Sequence, residues 1–215
     1  MFVENQYPDD PRVRNECDLL TAVGYSITVV ALREPGQPFA EMVNKVQTYR
    51  LPKLVIFKKT PHQNPTWFQR CRLKVKSVIG YVGEYVYFTT GCFIMSLYVA
   101  FKHGFDVIHA HNPPDTLFLV ALPYKLFGKK FVFDHHDLCP ELYRSRYGMA
   151  EGLVSRLLQW VEWGNLKLAD VTIATNESYK QIQIQRGGRK LFVARALATA
   201  SSWRSAGPKP CSRCT

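Results

Sequence analysis

The sequence predicts an α/β domain: a Rossmann-like parallel sheet with helices on both faces. Three observations carry that expectation. Short apolar runs of strand length alternate with helix-length segments along the chain, the pattern of βαβ units. Polar clusters follow directly on the predicted strands, where ligands of parallel sheets bind. The chain has 215 residues, 47% of them hydrophobic, enough for one large core and too apolar for a disordered chain. Its glycines and prolines show no period, which excludes collagen-like and solenoid classes.

Phe2–Asn5 reads as a strand, followed by the turn Tyr7-Pro8-Asp9-Asp10-Pro11. Asp10 suits a helix N-cap and Pro11 the first helical position, which needs no N–H. Val13, Cys17 and Leu20 share the inner face of that helix, and Gly24 stops it. Ser26–Leu32 is a β-branched run fit for a buried strand, and Lys45–Leu51 is a second candidate. Val78–Phe101 is long and apolar, but Glu84 interrupts it and Gly80, Gly83 and Gly91 dilute it. It reads as a buried or membrane-grazing helix in preference to a span. Strands follow at Asp106–Ala110, Lys130–Phe133 and Val171–Ala174. Between and after them lie an apolar helix to Phe127, a long helix near Leu153–Leu168, and a helix opened by Thr175-Asn176-Glu177-Ser178.

Charge narrows the partners. Lys and Arg number 28 against 17 Asp and Glu. Residues 42–83 hold nine bases and no acid, an attraction for a polyanion or simply a solvated surface. No helix-turn-helix, zinc-finger or RNA-binding pattern accompanies them, so nucleic acid is not expected. The six cysteines are scattered, and Cys211 and Cys214 lack the second pair that a structural zinc requires. Free thiols in a reducing compartment fit best.

The polar groups at strand ends are Glu4-Asn5, His109–Asn112, Asp134–Asp137 and Asn176-Glu177. From them Asn5, Asn112, Asn176 and Glu177 are candidate substrate contacts. His109 and His111 are expected to turn to opposite faces of their strand, His109 into the core and His111 toward the cleft. There His111 would bond a hydroxyl or carry a proton. A dinucleotide site would need glycines after the first strand, and Asn5–Pro11 has none. A metal phosphoesterase of the DHH type is an alternative. His111-Asn112-Pro113-Pro114-Asp115 and Asp134-His135-His136 are similar to its motifs, although Leu117 stands where that family has a second aspartate.

Glu4-Asn5, Tyr7 through Glu16, and Gly24 with the Ile27–Leu32 strand together resemble the opening of family 4 glycosyltransferases. DVIHAHNPPD (Asp106–Asp115), FDHHDLCPEL (Phe133–Leu142) and ADVTIATNES (Ala169–Ser178) resemble three later landmarks of the same domain, in the family's order. The resemblance covers about residues 2 to 190. It implies the amino-terminal, acceptor-side half of a GT-B enzyme that moves a sugar from a nucleotide-sugar onto an acceptor with retention. It implies no tightly bound cofactor and no metal, and an acceptor that is a glycan or lipid-linked, as in cell-envelope polysaccharide synthesis. His111 corresponds to the family's cleft histidine, the catalytic candidate. His136 and Asp137 correspond to the polar pair after the next strand, and Arg12, Arg14 and Asn15 to the first helix.

The resemblance also gives the basic segment 45–76 a purpose: docking on anionic lipid at the cytoplasmic face of the plasma membrane, at about 1 kcal/mol per Lys or Arg. The family's donor-binding domain has no counterpart in these residues. Residues 191–215, without Asp, Glu, Asn or Gln, are expected to be a disordered tail of shifted-frame composition. The chain is therefore expected to be a truncated transferase, inactive alone. A non-catalytic module that binds glycolipid or docks on a partner remains the alternative.

Overall fold

The computed structural model describes residues 1–56, 66–147, 152–188 and 190–193. Eight strands form one sheet in the order β3-β4-β2-β1-β5-β6-β7-β8. They are β1 (Phe2–Gln6), β2 (Thr28–Arg33), β3 (Ala40–Val43), β4 (Val46–Pro52), β5 (Val107–His111), β6 (Lys130–His135), β7 (Val171–Ala174) and β8 (Leu191–Val193). All neighbours pair in parallel except β3 with β4. The expected α/β class is the observed one. β3 is an addition: an antiparallel edge strand whose side chains are half-buried or exposed, without the apolar run that marks the inner strands. β8 adds another, because the sheet takes in Leu191–Val193, three residues past the expected boundary at 190. Residues 194–215, where the disordered tail is expected, lie outside the described residues.

Six helices flank the sheet: α1 (Pro11–Ala22), α2 (Trp67–Lys102), α3 (Phe118–Leu126), α4 (Cys139–Tyr147), α5 (Leu153–Leu168) and α6 (Glu177–Gln185). α1 begins and ends on the residues its sequence supplies. Asp10 accepts the Arg12 N–H at 3.0 Å, and Gly24 takes φ +94° beyond the helix end. Val13 and Cys17 bury against Val3, Val29 and Ala31 on one face of the sheet. The other face packs Val30, Ala110, Phe131 and Phe133 against α2, α3 and α5.

α2 joins the core by a stripe at helical spacing, Phe88, Cys92, Met95 and Val99. Two glycines let it approach. A Cβ at Gly91 would lie 2.7 Å from Leu51 Cδ1, and one at Gly83 2.5 Å from Ile56 Cδ1. Its opposite side exposes Val75, Ile79, Val82, Val86 and Ile94. Val75–Lys102 is long and apolar enough to cross a membrane by length and composition, while its inner stripe serves the sheet.

Arg50 departs from the surface role its basic segment suggests. It is 1% exposed, donates to the Tyr7 carbonyl at 3.0 Å and pairs with Glu41. Lys58 and Lys59 of that segment lie outside the described residues.

Candidate active site

The strand order reverses at β1, which has β2 on one side and β5 on the other. In a parallel sheet that switch point opens a crevice at the carboxyl ends of the strands. Successive side chains of β1 alternate between faces. Asn5 therefore turns toward α1, where its Nδ2 donates to Asp10 Oδ2 at 2.9 Å. Arg12 donates to the same carboxylate through Nε at 3.2 Å and Nη2 at 2.9 Å. Burial alone would raise the Asp10 carboxyl, but these donors outweigh it and hold it well below the usual carboxylate range.

His111 ends β5, and its register partner on β6 is Asp134. Paired residues of neighbouring strands share a face, so His111 Nδ1 meets Asp134 Oδ2 at 3.2 Å. His136 Nε2 reaches the same oxygen at 3.0 Å. Burial would push Asp134 up, but these two imidazoles keep it ionised, well below the ordinary range. Burial lowers His111, so its ring is neutral and donates Nδ1–H to Asp134. Glu16 of α1 closes the other side, with Oε1 3.2 Å from His109 Nδ1 and Oε2 3.7 Å from His111 Nε2. Burial and the Asp134 charge push Glu16 up to about 8, so it keeps its proton at neutral pH.

The expected opposition of His109 and His111 is incorrect. Their rings stack with centroids 4.4 Å apart and planes 17° from parallel. The reason is the strand period of two, which puts residues i and i+2 on one face. His135, one position from Asp134 and His136, turns to the other face and bonds Gln183 at 2.9 Å.

Asn112 acts as a clamp. Its Nδ2 donates to Asp115 Oδ1 at 3.0 Å and to the Asp137 carbonyl at 2.6 Å. Its Oδ1 accepts the N–H groups of His136 at 2.5 Å and Asp137 at 3.1 Å. The loop after β6 is thereby fixed to the loop after β5.

Two cavities open along this edge. The smaller, about 160 Å³, is lined by Asn5, Asp10, Arg12, His111, Asn112, His136 and Asp137 among others. The larger, about 300 Å³, lies on the α2 side between Glu4, Gln6, Lys53, Tyr81 and Glu84. Glu4 and Asn5 border both. Six of the expected site residues thus meet at the smaller cavity. Arg14, Asn15, Asn176 and Glu177 line neither. Asn176 caps α6, accepting the Tyr179 N–H at 2.8 Å, and the exposed Glu177 pairs with Lys180 at 3.3 Å.

Residues 10–194 match the glycosyl transferase 4-like domain family. The chain belongs to that family. Among solved structures it is similar to a sucrose-phosphate synthase from Thermosynechococcus elongatus, at 15% identity over 95% of this chain and 90% of that one, with TM-score 0.51. A second structure of sucrose-phosphate synthase from the same organism has 19% identity and TM-score 0.49, covering 85% of this chain and 41% of that one. Among curated proteins nothing matches. The fold thus matches that of a GT-B glycosyltransferase, and family membership implies a nucleotide-sugar donor and an acceptor.

In this glycosyl transferase 4-like domain Glu16, His109, His111 and Asp134 bring ligand atoms within 4.8 Å of one another, a set that could hold a metal ion. The stacking of the His109 and His111 rings, 17° from parallel, turns their in-plane lone pairs along separate planes, so one of the two with Glu16 and Asp134 would be the donor set. Asp10, Glu16 and Glu84 are site residues that sequence reasoning missed, while Glu4 and Asp134 stood in the strand-end polar clusters without a role of their own. Asp134 stands beside named candidates at a strand end, which is a readable signal. Glu16 and Glu84 reach the site through helix packing, and no local pattern marks them.

Proposed function

We propose that residues 1–193 form the acceptor side of a retaining glycosyltransferase site, with the smaller cavity facing the donor sugar. The observation that carries the reading is the meeting of Asn5, Arg12, His111, His136 and Asp137 at the switch point of a family 4 domain. Asp134 and Glu16 fix the His111 ring, which contributes to the shape and hydrogen bonding that meet the sugar. Arg12, anchored on Asp10, adds a cation to the rim. Alignment of donor with acceptor supplies much of a transferase's advantage. The leaving nucleotide needs several phosphate contacts, and among the described residues lining the smaller cavity Arg12 alone is a lysine or arginine.

Two measurements test this. Residues 1–215 on a glycan array should bind neutral or lipid-linked glycans, and a nucleotide-sugar release assay should stay at background. An array without any bound glycan, or robust nucleotide release by these residues alone, overturns the reading.

The same reading places the domain peripherally on the cytoplasmic membrane face, its acceptor being lipid-linked. Support comes from the exposed apolar stripe of α2 beside the exposed Arg72 and Lys76. Flotation with anionic vesicles should succeed at low salt and fail at high salt; no binding at low salt sinks it.

A further inference from the structure

The larger cavity has an unusual balance of hydrogen-bonding groups. Glu4 has no hydrogen-bond or ion-pair partner among the described residues. Glu84 has one, the Ile56 N–H at 2.9 Å. Two wall donors are engaged, Gln6 Nε2 by Glu34 and Asn5 Nδ2 by Asp10, while the half-exposed Lys53 Nζ lies 3.5 Å from Glu34 at the rim. The cavity therefore accepts hydrogen bonds and offers few. Its wall carries two carboxylates, Glu4 and Glu84, in a chain of net charge +11. The Tyr81 ring, 38% exposed, gives one wall an apolar face against which C–H groups of a pyranose pack.

We infer that this cavity selects the acceptor, taking a head group that donates hydrogen bonds, a hydroxyl or an ammonium, and rejecting anionic heads such as uronates and sugar phosphates. Glu4 and Glu84 are the specificity-determining residues. The inference rests on the acceptor-side reading above and deepens it. A carboxylate or phosphate placed here would face Glu84, and Glu4 wherever it is ionised, a juxtaposition of like charges that disfavours binding. A hydroxyl bonds the free oxygens of Glu4 and Glu84, and an ammonium bonds them with charge assistance. Burial, reinforced by Glu84, pushes Glu4 up to about 7, which a bound cation would reverse. Asn5 borders both cavities, so a head group seated on Glu4 leads toward the smaller cavity and its histidines.

The test is saturation-transfer NMR on residues 1–215 with four probes: glucosamine, glucose, glucuronate and glucose 6-phosphate. Glucosamine should bind roughly tenfold tighter than glucose, the step expected of one charge-assisted hydrogen bond. Glucuronate and the phosphate should give no saturation. Glu4→Gln with Glu84→Gln keeps the cavity's shape and should erase the glucosamine preference and admit glucuronate; circular dichroism checks that the variant folds. Anionic probes binding the wild type as well as glucose does, an unchanged ranking in the folded double variant, or no binding of any probe each overturn the proposal. Should the double variant fail to fold, each single variant must lower the glucosamine preference, and an unchanged preference in both overturns it. A chain that binds array glycans of all charges loses this inference and keeps the acceptor-side reading. A chain that ranks the probes as expected but binds no array glycan loses that reading and keeps the cavity.

Discussion

The two cavities share Glu4 and Asn5 yet are built on opposite terms. Around the smaller one the polar side chains hold one another in place: Asp134 takes two imidazoles, Asp10 takes Arg12 and Asn5, and Asn112 uses both ends of its amide, while His111 Nε2, His136 Nδ1 and Asp134 Oδ1 stay buried without a hydrogen-bond partner among the described residues. Around the larger one Glu4 has no partner among the described residues, and Glu84 has a single backbone N–H. Contacts between side chains fix them in place at the start of a reaction. Unused acceptors leave hydrogen bonds for a ligand to make. The difference separates a region that orients from a region that recognises.

The comparison breaks if substitutions on the two sides have equal effects on stability. Asn112→Ala leaves the buried-side N–H groups of His136 and Asp137 without their acceptor. It should cost about 2–6 kcal/mol, summing the usual penalty for two unsatisfied donors. Glu4→Gln, at a carboxylate with no partner among the described residues, should be neutral or mildly stabilising, within about 0.5 kcal/mol. Urea unfolding midpoints at neutral pH measure both. A loss of more than about 2 kcal/mol for Glu4→Gln would show that it belongs to a structural network after all.

What the sequence disclosed follows the same division. The inner strands were legible because a parallel sheet buried on both faces demands apolar β-branched runs, and Thr28–Arg33 supplies one. The smaller cavity was legible because its groups sit at strand ends, where Asn5, His111, Asn112, His136 and Asp137 stand. β3 carries no such run, and α4 begins at Cys139-Pro140 behind a polar loop, so neither announced itself. Arg50 reads by charge as surface, and only the Tyr7 carbonyl and Glu41 explain its burial. The pairing of His111 with Asp134 needs the β5–β6 register, and Glu4 with Glu84 needs the docking of α2. The stacking of His109 on His111 was available from strand period alone.

A pH series sharpens the contrast. Burial, with a neighbouring carboxylate, raises Glu16 from the ordinary 4.5 to about 8 and Glu4 from 4.5 to about 7. Each group binds its proton more tightly folded than unfolded. The stability it contributes is therefore full below 4.5 and is lost as pH rises through the folded value. Burial raises Asp115 to about 7 and adds to the same slope. Asp134 and Asp10, held below the ordinary 3.8, have the opposite sign and lose their contribution only at acid pH. Burial lowers His109, His111, His135 and the Met1 amine, which oppose this slope, so the carboxyl decline between pH 4.5 and 8 is read as the difference between wild type and variant. Glu16→Gln should flatten the part nearest 8, and Glu4→Gln only the part below about 7. Identical curves for both variants would remove the distinction between the two sides.

The smallest effect belongs to Arg12, on the rim of the smaller cavity. Its side chain is 52% exposed while its partner Asp10 is 5% exposed, so solvent screens the pair from one side only. Asp10 also keeps the Asn5 amide and the Arg12 backbone N–H when the guanidinium is removed. Arg12→Ala should therefore cost less than about 1 kcal/mol, and the cost should shrink as salt is raised. Among the residues lining this cavity Arg12 is the one lysine or arginine, so an anionic donor group that rests there depends on it. Arg12→Lys should recover part of that dependence, because a point charge survives while the paired donors do not. Unfolding in low and high salt is the measurement. A salt-independent loss above about 2 kcal/mol would place Arg12 inside the orienting network with Asp134, and not at its edge.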